Sequence, residues 1–345
     1  MVYTFALVRH ANIRYRESLR RLSCGELSAM LGALSRSCDI RVEQAGGADF
    51  LTFETDPLSA DDLAFLSRHS AVSFMAEKSG DYLRPLPVSF SGYLPEDLPE
   101  VLKYKGKTSV SFTYLMLNMA LSLSSFSNSA GPLTVLDPLC GKGTTCFCAL
   151  RYGMNAVGLD LDAKAVREGV DYFGRFLRYH QLKHKLVRRS ETTRKSAVPA
   201  AEYVFADTRE HYMSSDTRSL VLACGDSAFS PALTRKHRAH LIVTDLPYGV
   251  QHAPQAGCRP ETFTGLLDRV LPSWRDSLQP GGVIALSFNT LTLPYDRVIQ
   301  CLENAGLSAC TGDCCMHLRH EVEQAVVRDV IYAVNEPVRK EDISE

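Results

Sequence analysis

Hydrophobic positions along this chain change period several times, and each change marks an element. The clearest stretch is 133–162. It begins as the apolar, β-branched run Leu133-Thr134-Val135-Leu136 and stops at Asp137-Pro138. Gly141-Lys142-Gly143 follows, then Thr144-Thr145 as a helix start, and a second apolar run, 156–159, ends at Asp160. Strand, glycine turn, helix, strand and acid make half of a nucleotide-binding α/β unit.

Beyond Asp160, Val166, Val170, Phe173 and Leu177 share one face of a helix predicted from 163 towards 186. Residues 190–201 then read as a loop. Strands are predicted at 220–223, 241–244 and 283–288, and helices at 262–278 and 293–305. Gln279-Pro280-Gly281-Gly282 is a tight stop between helix and strand. Closing strands are expected near 308–316 and 324–334. Strands alternating with helices imply a mostly parallel, doubly wound sheet, to which the last pair adds an antiparallel strand.

The first ninety residues are patterned differently. A strand at 3–8 precedes a helix at 24–34 with Leu27, Met30, Leu31 and Leu34 on one face. Strands at 40–42 and 50–53 flank Ala45-Gly46-Gly47, Ser59 caps a helix to 66, and 72–75 is a strand. The order β-α-β-β-α-β predicts a small ferredoxin-like α+β domain. Four prolines between 85 and 99 mark a linker. A helix at 111–123 then leads into the glycine stretch, in a position to close over its ligand site.

With 345 residues, 45% hydrophobic and 22% charged, the chain has ordinary globular values and room for two or three domains. It has no apolar run of the roughly 18 residues that span a bilayer. The start of the sequence lacks a secretory pattern, so a cytoplasmic location is expected. Eleven cysteines, an odd number scattered through apolar segments, favour reduced thiols over a disulfide framework. A net charge of −1 excludes a global nucleic-acid signature. Even so, 173–195 holds Arg175, Arg178, Lys183, Lys185, Arg188, Arg189, Arg194 and Lys195 against one acid, Glu191. Lys183, Lys185, Arg188 and Arg189 are the candidate contacts to a polyanionic substrate.

The chemistry sits at the carboxyl ends of the strands, where open α/β sheets bind ligands. Four ends carry acids: Asp137, Asp160, Asp226 beside Ser227, and Asp245 in Asp245-Leu246-Pro247-Tyr248. A phosphate loop is excluded because Lys142 is followed by Gly143. The dinucleotide pattern G-x-G-x-x-G ends on Cys146 instead of glycine. Asp137 and Asp160 would repel phosphates but suit a cofactor with a cation and free ribose hydroxyls. S-adenosylmethionine has both. No metal site is expected at Cys310, Cys314, Cys315, His317 and His320, because strand alternation would point Cys314 and Cys315 to opposite faces.

DPLCGKGTT resembles the first motif of class I S-adenosylmethionine-dependent methyltransferases, in the D-P-x-C-G-x-G-T form of the branch that methylates exocyclic amines. The resemblance implies a Rossmann-like doubly wound sheet and S-adenosylmethionine as cofactor. It also implies that Asp137 and the backbone at Cys140, Gly141, Gly143 and Thr144 hold the methionine moiety. Asp160 would take the ribose hydroxyls, and Asp226 with Ser227 the adenine amino group. TDLPYG resembles the fourth motif, with Leu246 in place of the first proline, as in some guanosine-N2 tRNA methyltransferases. There Asp245 and the Leu246 carbonyl would accept the two amine hydrogens, Pro247 would stiffen the turn and Tyr248 would stack on a flipped base.

KGKTSVSFTYLMLNMAL and RHEVEQAVVRDVIYAV resemble the flanks of those tRNA enzymes. The first hundred residues are too short to add a complete THUMP module, their usual tRNA grip. The implied organisation is an accessory domain at 1–90, a linker at 91–110, the methyltransferase domain at 111–336 and a tail at 337–345. The implied partner is RNA, foremost tRNA. Other acceptors remain open (a DNA base, a protein amide, a small or peptidic metabolite), as does a non-catalytic RNA- or partner-binding scaffold. Oligomeric state is not legible.

Overall fold

The structure, a computed structural model, describes residues 1–9, 13–88, 90–104, 106–192, 197–247, 255–256, 259–260, 262–316, 318–323 and 326–336. Tyr248, Arg194, Lys195, His317 and the tail at 337–345 lie outside the described residues.

The chain opens with β1 (Val2–Leu7), α1 (Ile13–Ala33), β2 (Arg41–Ala45), β3 (Ala48–Glu54), α2 (Ala60–Leu66), β4 (Val72–Ser79) and β5 (Tyr82–Pro85). The strands form an antiparallel sheet in the order β2-β3-β1-β4-β5. This is the ferredoxin-like order the pattern predicts, extended by β5 into the region read as the edge of a linker. Ser59 makes the expected cap: its side chain accepts from the Asp62 amide, and the Asp62 carboxyl accepts from the Ser59 amide. Helix α1 is much longer than the predicted 24–34. Its added first turns carry arginines between the apolar positions Leu19 and Leu22, which breaks the hydrophobic signal without breaking the helix.

After α3 (Asp97–Val101), α4 (Val110–Leu123) is buried almost all round. It packs on α1 to one side and on the large sheet to the other, so no polar face is needed. The large sheet takes β6 (Thr134–Asp137), β7 (Asn155–Asp160), β8 (His184–Thr192), β9 (Ala197–Phe205), β10 (Arg218–Cys224), β11 (Ala239–Asp245), β14 (Leu278–Asn289), β15 (Ser308–Ala309), β16 (His320–Glu323) and β17 (Val326–Val334). Two short pieces, β12 (Gln255–Ala256) and β13 (Arg259–Pro260), pair separately. The helices here are α5 (Thr144–Arg151), α6 (Ala163–Tyr179), α7 (Arg209–Met213), α8 (Ser230–Thr234), α9 (Phe263–Ser277) and α10 (Tyr295–Asn304).

The sheet order is β15-β17-β14-β11-β6-β7-β10-β9-β8, with β16 on β17. Strands β14, β11, β6, β7 and β10 are mutually parallel, and the flanking strands are antiparallel. The fold class is therefore the expected one: a Rossmann-like, doubly wound sheet beside a small N-terminal α+β domain. The chain runs outwards from β6 through β7 and β10, then returns to β11 on the other side of β6. The crevice for a ligand lies where the order reverses, above β6 and β11.

Three expectations are corrected. Helix α6 stops at Tyr179, followed by Gln181 in the left-handed region (φ 55°), and does not reach 186. Of the predicted loop at 190–201, residues 190–192 and 197–201 belong instead to the antiparallel pair β8–β9. The expected strand at 308–316 ends at Ala309, and Asp313–Cys315 is a single 3-10 turn. That turn sets the Cys314 and Cys315 sulfurs 3.8 Å apart on one side of the chain, not on opposite faces.

Candidate active site

The cofactor side is built from a glycine turn fastened to the ends of two strands. The Cys140 amide donates to the Leu159 carbonyl at 3.0 Å, and the Gly141 amide donates to Asp160 Oδ2 at 2.8 Å. Asp160 Oδ1 accepts from the Asp162 amide at 2.8 Å. Gly143 sits at φ 96°, and a Cβ there would stand 3.3 Å from the Phe147 ring. Gly141, at φ 53°, would meet nothing within 4 Å, so the turn presents bare backbone to open space. Tyr104, from the segment before α4, hydrogen-bonds Thr144 Oγ1 at 2.9 Å, and the Lys142 ammonium lies 4.8 Å from its ring centre. Lys142 itself pairs with Glu168.

Asp137 takes a different place from its neighbours. Its side chain is 4% exposed and accepts from Thr244 Oγ1 at 2.8 Å and the Leu139 amide at 3.2 Å. It thus ties the end of β6 to the end of β11 and is turned into the protein. Burial pushes its carboxyl up to about 7, against the hydrogen bonds from Thr244, Thr145 and Leu139.

Asp226 stands at the end of β10 and caps a short 3-10 turn through the Ala228 amide at 2.8 Å. Both of its oxygens face Arg269 Nη1, at 2.8 and 2.9 Å. Ser227 beside it is buried. Arg269, on α9, escaped the sequence reading; its signal was only a cation among the apolar positions Leu266, Leu267 and Val270.

The half-buried Asp160 and Asp226 rim adjacent strand ends, which sheet geometry places about 5 Å apart. This acceptor-rich rim beside open glycine backbone fits a cofactor that brings an ammonium, a sulfonium and ribose hydroxyls. It does not fit a phosphate, which would face two carboxylates.

The acceptor side lies across the reversal point. Asp245 closes β11, whose Ile242 is in register with Leu136 of β6. Thr108 Oγ1 donates to Asp245 Oδ2 at 2.6 Å, and Arg328 Nη2 pairs with the same oxygen at 3.4 Å. Arg328 is 6% exposed, and its guanidinium lies 4.5 Å from the centre of the Phe112 ring. The Leu246 amide donates to the Ser287 carbonyl at 2.8 Å, and its side chain is in the core. Leucine at the first-proline position is therefore a packing residue. Pro247 follows it, half-buried.

Thr108 and Arg328 also escaped the sequence reading. Arg328 had a usable signal: it shares the inward phase of β17 with Val330 and Tyr332, both fully buried. A cation in that phase needs a buried partner.

The basic segment is not brought to this place. Lys185, Arg188 and Arg189 lie on β8, the outermost strand, and Lys183 just before it. Five strand spacings separate β8 from β11, on the order of 24 Å. Arg189 there pairs with Glu191 at 3.2 Å and Glu202 at 3.4 Å.

No family model matches the chain. No curated protein sequence matches it either. Among solved structures it is similar to TrmN from Thermus thermophilus, at 17% identity and a TM-score of 0.38, covering 86% of this chain and 59% of that one. It is similar to a SAM-dependent methyltransferase from Agrobacterium tumefaciens, at 14% identity and a TM-score of 0.38, covering 75% and 66%. A TehB-like SAM-dependent methyltransferase from Corynebacterium glutamicum is similar at 15% identity and a TM-score of 0.33, covering 61% and 84%. The chain thus spans less than two thirds of the length of the first two. Among the described residues, no helix is long and apolar enough to cross a membrane.

Proposed function

We propose that the protein is an S-adenosylmethionine-dependent N-methyltransferase whose acceptor is an exocyclic amine, foremost guanosine N2 of tRNA or another RNA. The observation that carries this reading is Asp245. It stands at the reversal point beside the glycine turn, its carboxyl oriented by Thr108 and Arg328. A scaffold that bound a partner without chemistry would have no use for a carboxyl fixed there.

An amine on an aromatic ring is a weak nucleophile, because its lone pair is delocalised into the ring. Asp245 and the Leu246 carbonyl accept its hydrogens and draw the nitrogen towards tetrahedral geometry. Thr108 and Arg328 keep the carboxyl from rotating away, so that orientation rather than basicity is what the protein supplies. Bound at Asp160, Asp226 and the Gly141 backbone, the cofactor would supply an electrophilic methyl group. The choice of guanosine in RNA is supported by the D-L-P-Y resemblance and is the finer part of the proposal.

The test is incubation with labelled cofactor and total RNA, DNA, protein or small-molecule extract, followed by digestion and identification of the product. The expected outcome is N2-methylguanosine, with Asp245→Ala lowering the rate by roughly a hundredfold or more. Label found only in protein or metabolite would sink the RNA reading. Absence of cofactor binding by calorimetry would sink the enzyme reading.

A further inference from the structure

Two hollows flank the first turns of α1, and neither belongs to the cofactor site. The larger, about 830 Å³, lies between α1 and the closing strands and is lined by Glu17, Ser18, Arg21, Arg319, His320, Glu321 and Val327. The smaller, about 310 Å³, lies between α1 and the β2–β3 hairpin. Arg9, Arg16 and Arg20 line it, together with Asp49 and the Gly46-Gly47 turn. Arg16 and Arg20 are one helical turn apart, as are Glu17 and Arg21, so α1 is the shared wall of both hollows.

The charge on this wall is lopsided. The first 22 residues hold four arginines besides Arg14, namely Arg9, Arg16, Arg20 and Arg21, and one acid, Glu17. In the smaller hollow, Asp49 is already engaged, accepting from Arg20 at 2.9 Å and Gln44 at 2.8 Å. The Nε of Arg20 is buried and has no partner among the described residues. Gly46 and Gly47, both in the left-handed region, form a tight hairpin turn with open space where side chains would stand, so a bulky ligand can approach. In the larger hollow, Arg21 and Arg319 are exposed, and Arg21 donates to the Arg319 carbonyl. Glu17 and Glu321 oppose them.

The larger hollow adjoins the acceptor side. Val327, on its wall, exchanges backbone and side-chain bonds with Asn289 and Thr290 at the end of β14, the strand beside β11. His320 is in register with Arg328, the partner of Asp245. His320 is 3% exposed, and its Nδ1 faces the Leu318 carbonyl at 2.9 Å. That carbonyl can only accept, so Nδ1 carries the proton and Nε2 is a bare acceptor. Nε2 is buried and has no partner among the described residues. An unsatisfied acceptor at the wall of a cleft suits a ligand hydroxyl.

The geometry points to a binding face for the phosphodiester backbone of RNA along α1, running from Arg9 and Arg16 past Arg21 and Arg319 towards Asp245. Arginines positioned on a groove wall neutralise successive phosphates, and His320 Nε2 is the acceptor for a ribose 2′-hydroxyl that DNA lacks. This rests on the amine-methyltransferase reading only for its direction towards Asp245. It also moves the RNA grip away from the basic edge strand β8, on the far side of the sheet.

The test uses the full chain and fluorescence anisotropy with a labelled RNA hairpin and the same sequence as DNA, across a salt series. Arg9→Gln/Arg16→Gln/Arg21→Gln/Arg319→Gln is expected to weaken RNA binding at least about tenfold at 0.1 M salt. The log–log salt slope should become shallower by roughly 0.7–0.9 for each phosphate that is no longer neutralised, with cofactor affinity by calorimetry unchanged as the folding control. Lys183→Ala/Lys185→Ala/Arg188→Ala/Arg189→Ala should leave RNA binding within about twofold. RNA should bind tighter than DNA, and His320→Phe should remove that preference.

Unchanged RNA affinity in the α1 variant, or an equal loss in the β8 variant, overturns the proposal. Equal affinity for an acidic polypeptide competitor also overturns it, since the face would then be a general cation patch. Binding needs no methyl transfer, so RNA held by this face without a methylated product would remove the enzymatic reading and leave this one standing.

Discussion

Asp137 shows how a residue of the candidate site trades stability for geometry. Its carboxyl lies under the glycine turn with Thr244 and the Leu139 amide on one oxygen. Burial lifts it to about 7 from an ordinary 3.8. The folded state therefore holds this proton in a window where the unfolded chain has already lost it. The sign follows: the contribution is fully present below about pH 4 and is lost as pH rises towards 7, on the order of 4 kcal/mol. Asp137→Asn, which keeps the acceptor oxygen, is expected to flatten the thermal stability between pH 4 and 7. It should also melt above the parent at pH 8. Parallel stability curves for the two proteins would show that Asp137 is not the group responsible. The four acids were legible because an apolar run that ends at or just before an aspartate is visible in one dimension. Arg269, Arg328 and Thr108 were not, because their partners are 43, 83 and 137 positions away. Of the three, only Arg328 could have been found, from its phase in β17.

The legible and illegible elements differ for a physical reason. Central strands β6, β7, β10 and β11 are buried on both faces and read as continuous apolar runs, so the sequence names them directly. Edge strand β8 is half-wet and carries Lys185, Arg188 and Arg189, which look like a helix surface continuing from α6. Charged residues on an edge strand also block pairing with another chain. The break between α6 and β8 falls on Gln181 in the left-handed conformation, where glycine or asparagine would have announced a helix end.

Helix α9 acts at the same scale. It reaches back over the end of β10, so that Arg269 fixes Asp226. This pair is about a quarter exposed, and its loss should cost less than about 1 kcal/mol of stability. Its importance is orientation. Arg269→Ala is expected to raise the dissociation constant for S-adenosylmethionine by roughly three- to tenfold in calorimetry, with the melting temperature within a few degrees. An unchanged affinity would mean that Asp226 does not meet the cofactor.

The two sheets share one interior. A single cluster of buried side chains runs from Phe5 and Leu51 through Phe112 and Leu115 to Val243 and Tyr332. At its centre is a polar junction that sequence periodicity gave no means of seeing. Glu26 of α1 is fully buried; it accepts from Asn118 of α4 at 2.7 Å and from the Ser70 amide at 2.8 Å and hydroxyl at 2.5 Å. His69 Nε2 lies 3.6 Å away, and Asn118 also donates to the Arg68 carbonyl at 2.8 Å. Removing the Glu26 carboxyl would strand these buried donors, at roughly 2–4 kcal/mol. If the shared core couples the halves, that loss must be felt throughout the molecule.

The chain has one tryptophan, Trp274 of α9, fully buried in a second cluster beyond the large sheet. Its fluorescence therefore reports on the half that does not contain Glu26. Glu26→Ala is expected to lower the Trp274 unfolding midpoint by as much as the midpoint followed by far-ultraviolet circular dichroism. Both probes should coincide in a single transition. An early dichroism transition with Trp274 unmoved would show that the N-terminal sheet unfolds alone. The arginine face of α1 would then have no rigid link to Asp245.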